Sequence, residues 1–512
     1  MDDATRPSPR RPGGRPYLRQ AAQGLVGLGL VLAAFGAPGA AGAAGAPGAD
    51  RVAVDRAAPA RAAAATGAPN IVLISTDDQT VEELQWMPFT RSLIGGRGVT
   101  FASGLSPHPL CCPARAEVLT GQYGQNNGVH HNAGPNGGYR ALRDPDNTIA
   151  RWLQRAGYRT AMVGKYLNGI GPQTSRPAGW DHWNPFVGNT DFTTTTYFDD
   201  GDLTVREGHV DDVTNAYARD YVEELSGERP FFLWVSNYAP HRAQYRPGWE
   251  EYSYPAPRFQ RVLTDVALPS LRKRSFNETD VSDQPSASQR PRVSPAEMQR
   301  RFTTRIQALQ SADEGVRDLV ATLEATGELD STYLFFVSDN GYLLGEHRLS
   351  YKNQVYRETL EVPFAVRVPG ATGPSVSRVP VTLADLAPTF AELAGATPER
   401  VVDGVSFVPV LAGEPTAWRD TQLIQTGRTA ASRDSWKIRG VRTGRYTYGR
   451  DVVNGFEQLY DRRRRPSEIR NVATTRAYRP VVRELRRRTR ALESCSGTAC
   501  AVSFGRVPRP AR

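Results

Sequence analysis

Asn70-Ile71-Val72-Leu73-Ile74-Ser75-Thr76-Asp77-Asp78 is the stretch on which the fold turns. Its apolar run shows no alternation, the pattern of a strand covered on both faces of a parallel sheet, and it ends on two carboxylates. The same design recurs downstream. Thr160 to Val163 leads into Gly164-Lys165, Phe231 to Ser236 into Asn237-Tyr238-Ala239-Pro240-His241, and Thr332 to Val337 into Asp339-Asn340. Helical patterning lies between these runs, near Asn147 to Ala156 and from about 296 to 325. Strands alternating with helices predict an α/β fold, a mostly parallel sheet sandwiched by helices. Ligands of such sheets sit beyond the carboxyl ends of the strands, so Asp77, Asp78, Lys165, His241, Asp339 and Asn340 should converge on one rim. Residues 271–297 are polar and rich in Pro and Ser, and read as a surface insertion. From about 421 the character changes. Trp436 to Val441, Gly444 to Tyr448 and Glu457 to Tyr460 read as short antiparallel strands, and Arg479 to Leu492 as a basic helix.

Working outward, 512 residues allow one large α/β domain plus a smaller one. A composition 39% hydrophobic and 23% charged is that of a soluble globular protein. The net charge is +10, yet of 63 basic residues only Lys165, Lys273, Lys352 and Lys437 are lysines. A lysine kept against such an arginine bias invites a local reason. Arg10, Arg11, Arg15 and Arg19 precede a twelve-residue apolar stretch, Gly24 to Phe35, too short to span a bilayer comfortably. Ala41-Gly42-Ala43 follows as a possible cleavage site. Residues 1–43 are therefore expected to be an export signal, with a membrane anchor as the alternative, and 44–68 a disordered Ala/Gly/Pro linker. A catalytic domain over 69–420 and a C-terminal subdomain over 421–512 complete the expected organisation. The expected location is secreted or on the cell-envelope exterior, with no stable membrane insertion once the signal is removed. Export favours disulfides, and Cys495 with Cys500 can close a small loop. Cys111 and Cys112 are neighbours, which rarely bridge because the geometry is strained. A pair of thiols in an oxidising compartment needs another explanation.

Asp77-Asp78 and Asp339-Asn340 offer only hard oxygen donors, which calcium and magnesium prefer. One Asp pair can be ordinary turn chemistry. Two such pairs, each after a strongly apolar strand, point to one divalent cation, calcium ahead of magnesium.

Cys111-Cys112-Pro113-Ala114-Arg115, followed by Leu119-Thr120-Gly121, resembles the signature of the type I, formylglycine-dependent sulfatases. Cys-Cys-Pro, Gly164-Lys165-Tyr166-Leu167-Asn168 and Ala239-Pro240-His241 are most similar to the N-acetylglucosamine-6-sulfatase and extracellular endosulfatase branch. The resemblance implies an alkaline-phosphatase-like fold. It implies that Cys111 is oxidised to formylglycine (3-oxoalanine) by a formylglycine-generating enzyme. One hydroxyl of the aldehyde hydrate would attack sulfur, and the other would later expel sulfate. Metal ligation would fall to Asp77, Asp78, Asp339, Asn340 and modified Cys111, while Arg115 holds the hydrate. Lys165 and Lys352 would clamp the sulfate oxygens, and His241 would protonate the departing alcohol. His347, in Gly345-Glu346-His347-Arg348, is expected beside the substrate. The implied substrate is a sulfated sugar such as N-acetylglucosamine 6-sulfate, or an aryl sulfate. The residues agree with this picture: Pro113 and Ala114 suit a first helical turn, placing residue 111 near a positive helix end.

Two departures stand out. Many family members have Lys-x-His where this chain has Lys165-Tyr166-Leu167, and the similar branch has His-Asn-His where it has Gln125-Asn126-Asn127; His130 and His131 lie a few residues on. The Gln125–Asn127 segment is expected to line the pocket. A phosphomonoesterase or phosphonate monoester hydrolase of the same superfamily is the near alternative, but the chain has only seven histidines, none at metal-ligand spacing from the acids. A non-catalytic binder of sulfated glycans is the alternative of another class, suggested by Arg462 to Arg465 and Arg486 to Arg488. It would have no need of the Cys111 segment. No motif points to nucleic acid.

Overall fold

Every residue of the strand Asn70–Thr76 is buried, because it lies inside an eight-stranded sheet. This computed structural model describes residues 67–511, apart from 189, 415–416 and 430–434. Across the sheet the order is Ser375–Ser377, Gly98–Phe101, Phe364–Arg367, Thr332–Ser338, Asn70–Thr76, Phe231–Ser236, Arg159–Gly164 and His182–Pro185. All neighbours run parallel except Phe364–Arg367, which is antiparallel to both of its own. The sheet is thus mostly parallel, as expected. Its register aligns the strand ends: Ser75 pairs with Ser236, Gly164 with Ser236, and Thr76 with Ser338. Asp77, Lys165, Asn237 and Asp339 therefore leave the sheet side by side, one strand spacing of about 4.8 Å apart.

Alternation along each strand sorts the core into two layers. Ile71, Leu73, Phe232, Trp234 and Phe335 face the helices Cys111–Thr120, Ile149–Arg155 and Leu386–Leu393. Val72, Ile74, Leu233, Val235 and Phe336 face Val210–Leu225 and the long helix Pro295–Ala325. That long helix starts where its sequence says it should. Pro295 opens it, and the Ser294 side chain accepts from the Glu297 amide at 3.3 Å.

Toward the C-terminus, Thr421–Gly427, Trp436–Thr443, Tyr446–Asp451 and Glu457–Asp461 form a four-stranded antiparallel sheet. The helix Arg479–Leu492 covers it, with Val481, Val482 and Leu485 packed on Leu423, Val441, Tyr448 and Leu459. The small sheet is tied to the large body: the Gln425 amide donates to Pro107 O at 2.9 Å, and Arg442 pairs with Glu361.

Some expectations need correcting. Gly444 and Arg445 form the turn between two strands instead of starting one, and the Thr421–Gly427 strand was not foreseen. Residues 271–297 lie mostly at the surface, as expected, but are anchored by buried side chains. Ser275, Glu278, Gln284 and Ser288 are buried, and Phe276 bridges to Glu346. Cys495 and Cys500 are joined. The export signal at 1–43, and all but the last two residues of the linker at 44–68, lie outside the described residues. Among the described residues no helix is long and apolar enough to cross a membrane.

Candidate active site

The four strand ends meet as the register requires. The Asp77 amide donates to Ala239 O at 3.0 Å, fixing the first strand's exit against the Asn237–His241 turn. Asp78 adopts φ 75°, a left-handed conformation that Asp tolerates better than most side chains. Its amide donates to Asp339 Oδ1 at 3.1 Å, and Asn340 Nδ2 donates to its Oδ1 at 2.7 Å. The two acidic pairs are thus in direct contact. Oxygens of Asp77, Asp78 and Asp339 lie within 4.8 Å of one another, and all three residues are buried.

Three buried carboxylates at that spacing demand cations. Lys165 Nζ sits on Asp77, Lys352 Nζ on Asp78, and Arg115 Nε donates to Asp339 Oδ2 at 2.9 Å. Burial pushes Asp77 upward, but Lys165, His241, Lys352 and Arg115 together hold it well below the usual carboxylate range. Burial and the neighbouring Asp77 charge raise Asp339 to about 6 against the pull of Arg115. Asn340 Oδ1 is buried without a hydrogen-bond partner. A set of three carboxylates and one spare amide oxygen is the donor chemistry of a hard divalent cation.

Cys111 is the first residue of the helix Cys111–Thr120, all ten residues of which are buried. Its Sγ donates to Asp77 Oδ1 at 3.4 Å and accepts from Lys352 Nζ at 2.8 Å. Burial, then the Asp77 charge, push this thiol up to about 11, so as cysteine it is a neutral group and a poor nucleophile. Arg115 lies one helical turn further on the same face. Its Nη1 donates to Lys165 O at 2.7 Å and to Ser236 Oγ at 2.5 Å, and its Nη2 reaches Asp77 Oδ2 at 3.5 Å. One guanidinium therefore joins four strand ends.

His241 completes the group, with Nε2 4.0 Å from Asp78 Oδ2 and Nδ1 2.9 Å from Arg242 O. Its ring stacks on Tyr238 at 4.7 Å, and Lys165 Nζ lies 5.1 Å from the centre of the Tyr238 ring. Burial, reinforced by Lys165, lowers His241 to about 3, so the ring is neutral here.

Other expectations fare differently. His347, expected to bind substrate, is fully buried, bonded through Nδ1 to Glu278 Oε2 at 2.9 Å and stacked on Tyr356 at 3.9 Å. Its surroundings make it a packing residue. The Gln125–Asn127 segment does not line the site. Asn126 Nδ2 donates to Asp403 Oδ2 at 2.8 Å and Cys495 O at 2.9 Å, and Gln125 Nε2 to Leu492 O at 3.3 Å, tying the segment to the C-terminal tail. Tyr166 and Leu167, where a histidine would stand, are buried in the core. His130 stacks on Trp436 at 3.9 Å, and Asn132 Oδ1 accepts from the Cys112 amide at 2.9 Å.

Two residues that bear on the site escaped the sequence reading. Asn237 is buried at a strand end with neither side-chain atom bonded; its place after an apolar run was the available signal. Arg305 donates to Asp78 O at 2.5 Å and pairs with Glu83, bracing the Asp78 turn from the long helix. Nothing local in the sequence marks it.

A mostly parallel sheet whose strand ends gather acids, lysines and a buried helix-start cysteine defines a hydrolase of anionic esters. The chain belongs to the sulfatase family, whose profile matches residues 69–396; the C-terminal profile of N-sulphoglucosamine sulphohydrolase matches 345–494. It is a sulfuric ester hydrolase. Human N-acetylglucosamine-6-sulfatase is 32% identical over 384 residues, 71% of this chain and 68% of that protein. The N-acetylglucosamine-6-O-sulfatase of Bacteroides thetaiotaomicron is 26% identical over 497 residues, 82% of this chain and 85% of that protein. A solved structure of a protein in complex with its substrate, D-glucosamine-2-N,6-O-disulfate, superposes with TM-score 0.70 at 23% identity, covering 83% of this chain and 97% of that one. This last likeness concerns the fold.

Proposed function

We propose that this sulfatase hydrolyses sulfate esters of sugars, with the 6-sulfate of N-acetylglucosamine as the leading candidate, through formylglycine made from Cys111 and with one divalent cation. The observation that carries the reading is the position of Cys111. It starts a buried helix, bonded to Asp77 and Lys352, with a thiol too weakly acidic to act as it stands. The Cys111 sulfur marks where the oxygens of an aldehyde hydrate would stand, and that hydrate supplies a nucleophile and, afterwards, a way to release sulfate. Calcium, or magnesium, would be held by Asp77, Asp78, Asp339 and Asn340 together with residue 111, and would supply charge that favours the ionised nucleophile.

The remaining work falls to the chain's own side chains. Arg115 fixes the direction of residue 111 relative to Asp77 and Asp339. Lys165 and Lys352, now resting on Asp77 and Asp78, are freed to take sulfate oxygens once a cation holds those carboxylates. His241 protonates the departing sugar alcohol. A bound sulfate ester offsets the lysine charge that, with burial, keeps the ring neutral, and so raises its affinity for a proton. Maturation would need a formylglycine-generating enzyme, and the N-terminal residues fit an exported protein. The 32% identity to human N-acetylglucosamine-6-sulfatase supports the sugar 6-sulfate.

The test is peptide mapping across residue 111, followed by assay on a panel of sulfated sugars. Aldehyde or hydrate mass at 111 with turnover of N-acetylglucosamine 6-sulfate is expected. Full activity with an unmodified thiol would sink the mechanism, and turnover of aryl sulfates alone would replace the substrate.

A further inference from the structure

The arginine runs Arg462–Arg465 and Arg486–Arg488 have no part in the site above. They border the far end of the small antiparallel sheet, where a cavity of about 650 Å³ opens. Five arginines line it, Arg445, Arg463, Arg488, Arg506 and Arg509, against a single carboxylate, Asp420. Two of the five are already committed. Arg445 Nη2 lies 2.6 Å from Asp461 Oδ2, and Arg488 holds Glu484 at 2.9 Å and Asp420 at 3.3 Å. Asp420 also takes the amides of Phe504 at 3.1 Å and Gly505 at 2.7 Å, so little of its charge remains to oppose an anion.

Arg463, Arg506 and Arg509 are exposed, and among the described residues the structure gives none of them a hydrogen bond or an ion pair. Two of these three come from the tail beyond the disulfide and one from the turn after Asp461, so the fold itself assembles them. Buried Tyr446 also lines the cavity, and its hydroxyl has no partner. Guanidinium forks without counter-charges suit sulfate and carboxylate, each of which can offer two oxygens to one fork.

The strand Trp436–Thr443 links this cavity to the active site. Trp436 pairs with Gly427, whose carbonyl accepts from Nδ2 of Asn353, the neighbour of Lys352, at 3.0 Å, while Thr443 lines the cavity. At about 3.3 Å per residue the two ends of this strand stand roughly 23 Å apart. A monosaccharide cannot reach both; a chain of several sugars can.

We infer that the cavity framed by Arg463, Arg506 and Arg509 is an exosite for a sulfated or carboxylated polysaccharide, holding the polymer while its sulfate ester is hydrolysed at the strand-end site. The inference rests on the reading that sugar sulfates are the substrate. An exosite of this kind lowers KM for long substrates and leaves kcat and small substrates alone, because it touches no reacting atom.

The test uses the full-length, matured enzyme and the triple variant Arg463→Ser/Arg506→Ser/Arg509→Ser. Both are assayed on N-acetylglucosamine 6-sulfate and on sulfated oligosaccharides of increasing length that carry the same terminal sulfate. Retention on immobilised heparin and on immobilised duplex DNA is compared. Expected are unchanged kinetics on the monosaccharide, a KM about tenfold higher on long chains at unchanged kcat, and elution from heparin at lower salt. An unchanged ratio of polymer KM to monosaccharide KM, or unchanged heparin retention, overturns the exosite. So does an equal loss of retention on DNA, which would make the patch a general polyanion surface. If neither protein turns over any sulfated sugar while the variant alone loses heparin retention, the binding site stands and the substrate reading falls.

Discussion

Replacing His241 by alanine separates the two jobs that a sulfatase must do. In the neutral ring, Nδ1 faces the Arg242 carbonyl at 2.9 Å; a carbonyl only accepts, so Nδ1 carries the hydrogen and Nε2 carries none. Nε2, the nitrogen 4.0 Å from Asp78, must therefore gain a proton before it can give one to a leaving group. A sugar alcohol leaves badly without that proton, whereas a nitrophenolate leaves readily. General acids contribute roughly 10²–10⁴-fold, or about 3–5 kcal/mol of barrier. His241→Ala should lose about that much kcat on N-acetylglucosamine 6-sulfate and less than about tenfold on nitrophenyl sulfate. The pH profile supplies a second check. With His241 as the proposed acid, the protonated ring would be the working form, so the rate on sugar sulfates should be present below its pKa in the enzyme–substrate complex and lost as pH rises through it. Burial and Lys165 set that pKa to about 3 without ligand, and a bound sulfate raises it. The alanine variant should lack the falling limb. Equal losses on both substrates, or an unaltered limb, would refute the acid role.

Three further outcomes are expected. Cys111→Ser should abolish turnover while Cys112→Ala keeps most of it, because Cys111 alone touches Asp77 and Lys352 whereas Cys112 packs into the apolar core; steady-state kinetics on both variants decide this. Exhaustive chelation should remove one equivalent of calcium or magnesium, abolish activity and lower the melting temperature; metal analysis, assay and calorimetry check it, and activity surviving complete metal loss would contradict the shared ion. Arg305→Met should destabilise the fold by about 3–5 kcal/mol, since it strands buried Glu83 and frees the Asp78 carbonyl, and a denaturant midpoint left in place would count against it.

The parallel strands were legible because burial on both faces writes itself as an unbroken apolar run, and the acids at the end of each run mark where the strand stops. Cys111 and Arg115 were legible as a pair because four residues make one helical turn. Strand register then did what sequence reading could only assume, setting Asp77 beside Asp339 across 262 residues of chain. What escaped depends on contacts without local trace. Arg305 is an ordinary arginine in a 31-residue helix until the fold delivers it to Asp78. His347 sits in a motif-rich loop, yet Glu278 and Tyr356 enclose it, and Glu278 comes from a segment whose polarity suggested solvent. Gln125 and Asn126 bond to a C-terminal tail that no pattern around them announces.

The buried helix at Cys111 also sets an order of events. In the finished fold this residue is 1% exposed, with its sulfur bonded to Asp77 and Lys352. An enzyme that must grip the Cys111–Arg115 stretch and oxidise its first side chain has no access there, since the segment would have to leave its helix and the sheet on which it packs. If Cys111 is converted as proposed, oxidation would have to reach the chain while that stretch is still extended. A copy that folds first would then be locked as a thiol, native in shape and silent in function. On the proposed mechanism, the fraction of active enzyme would record a race between folding and maturation.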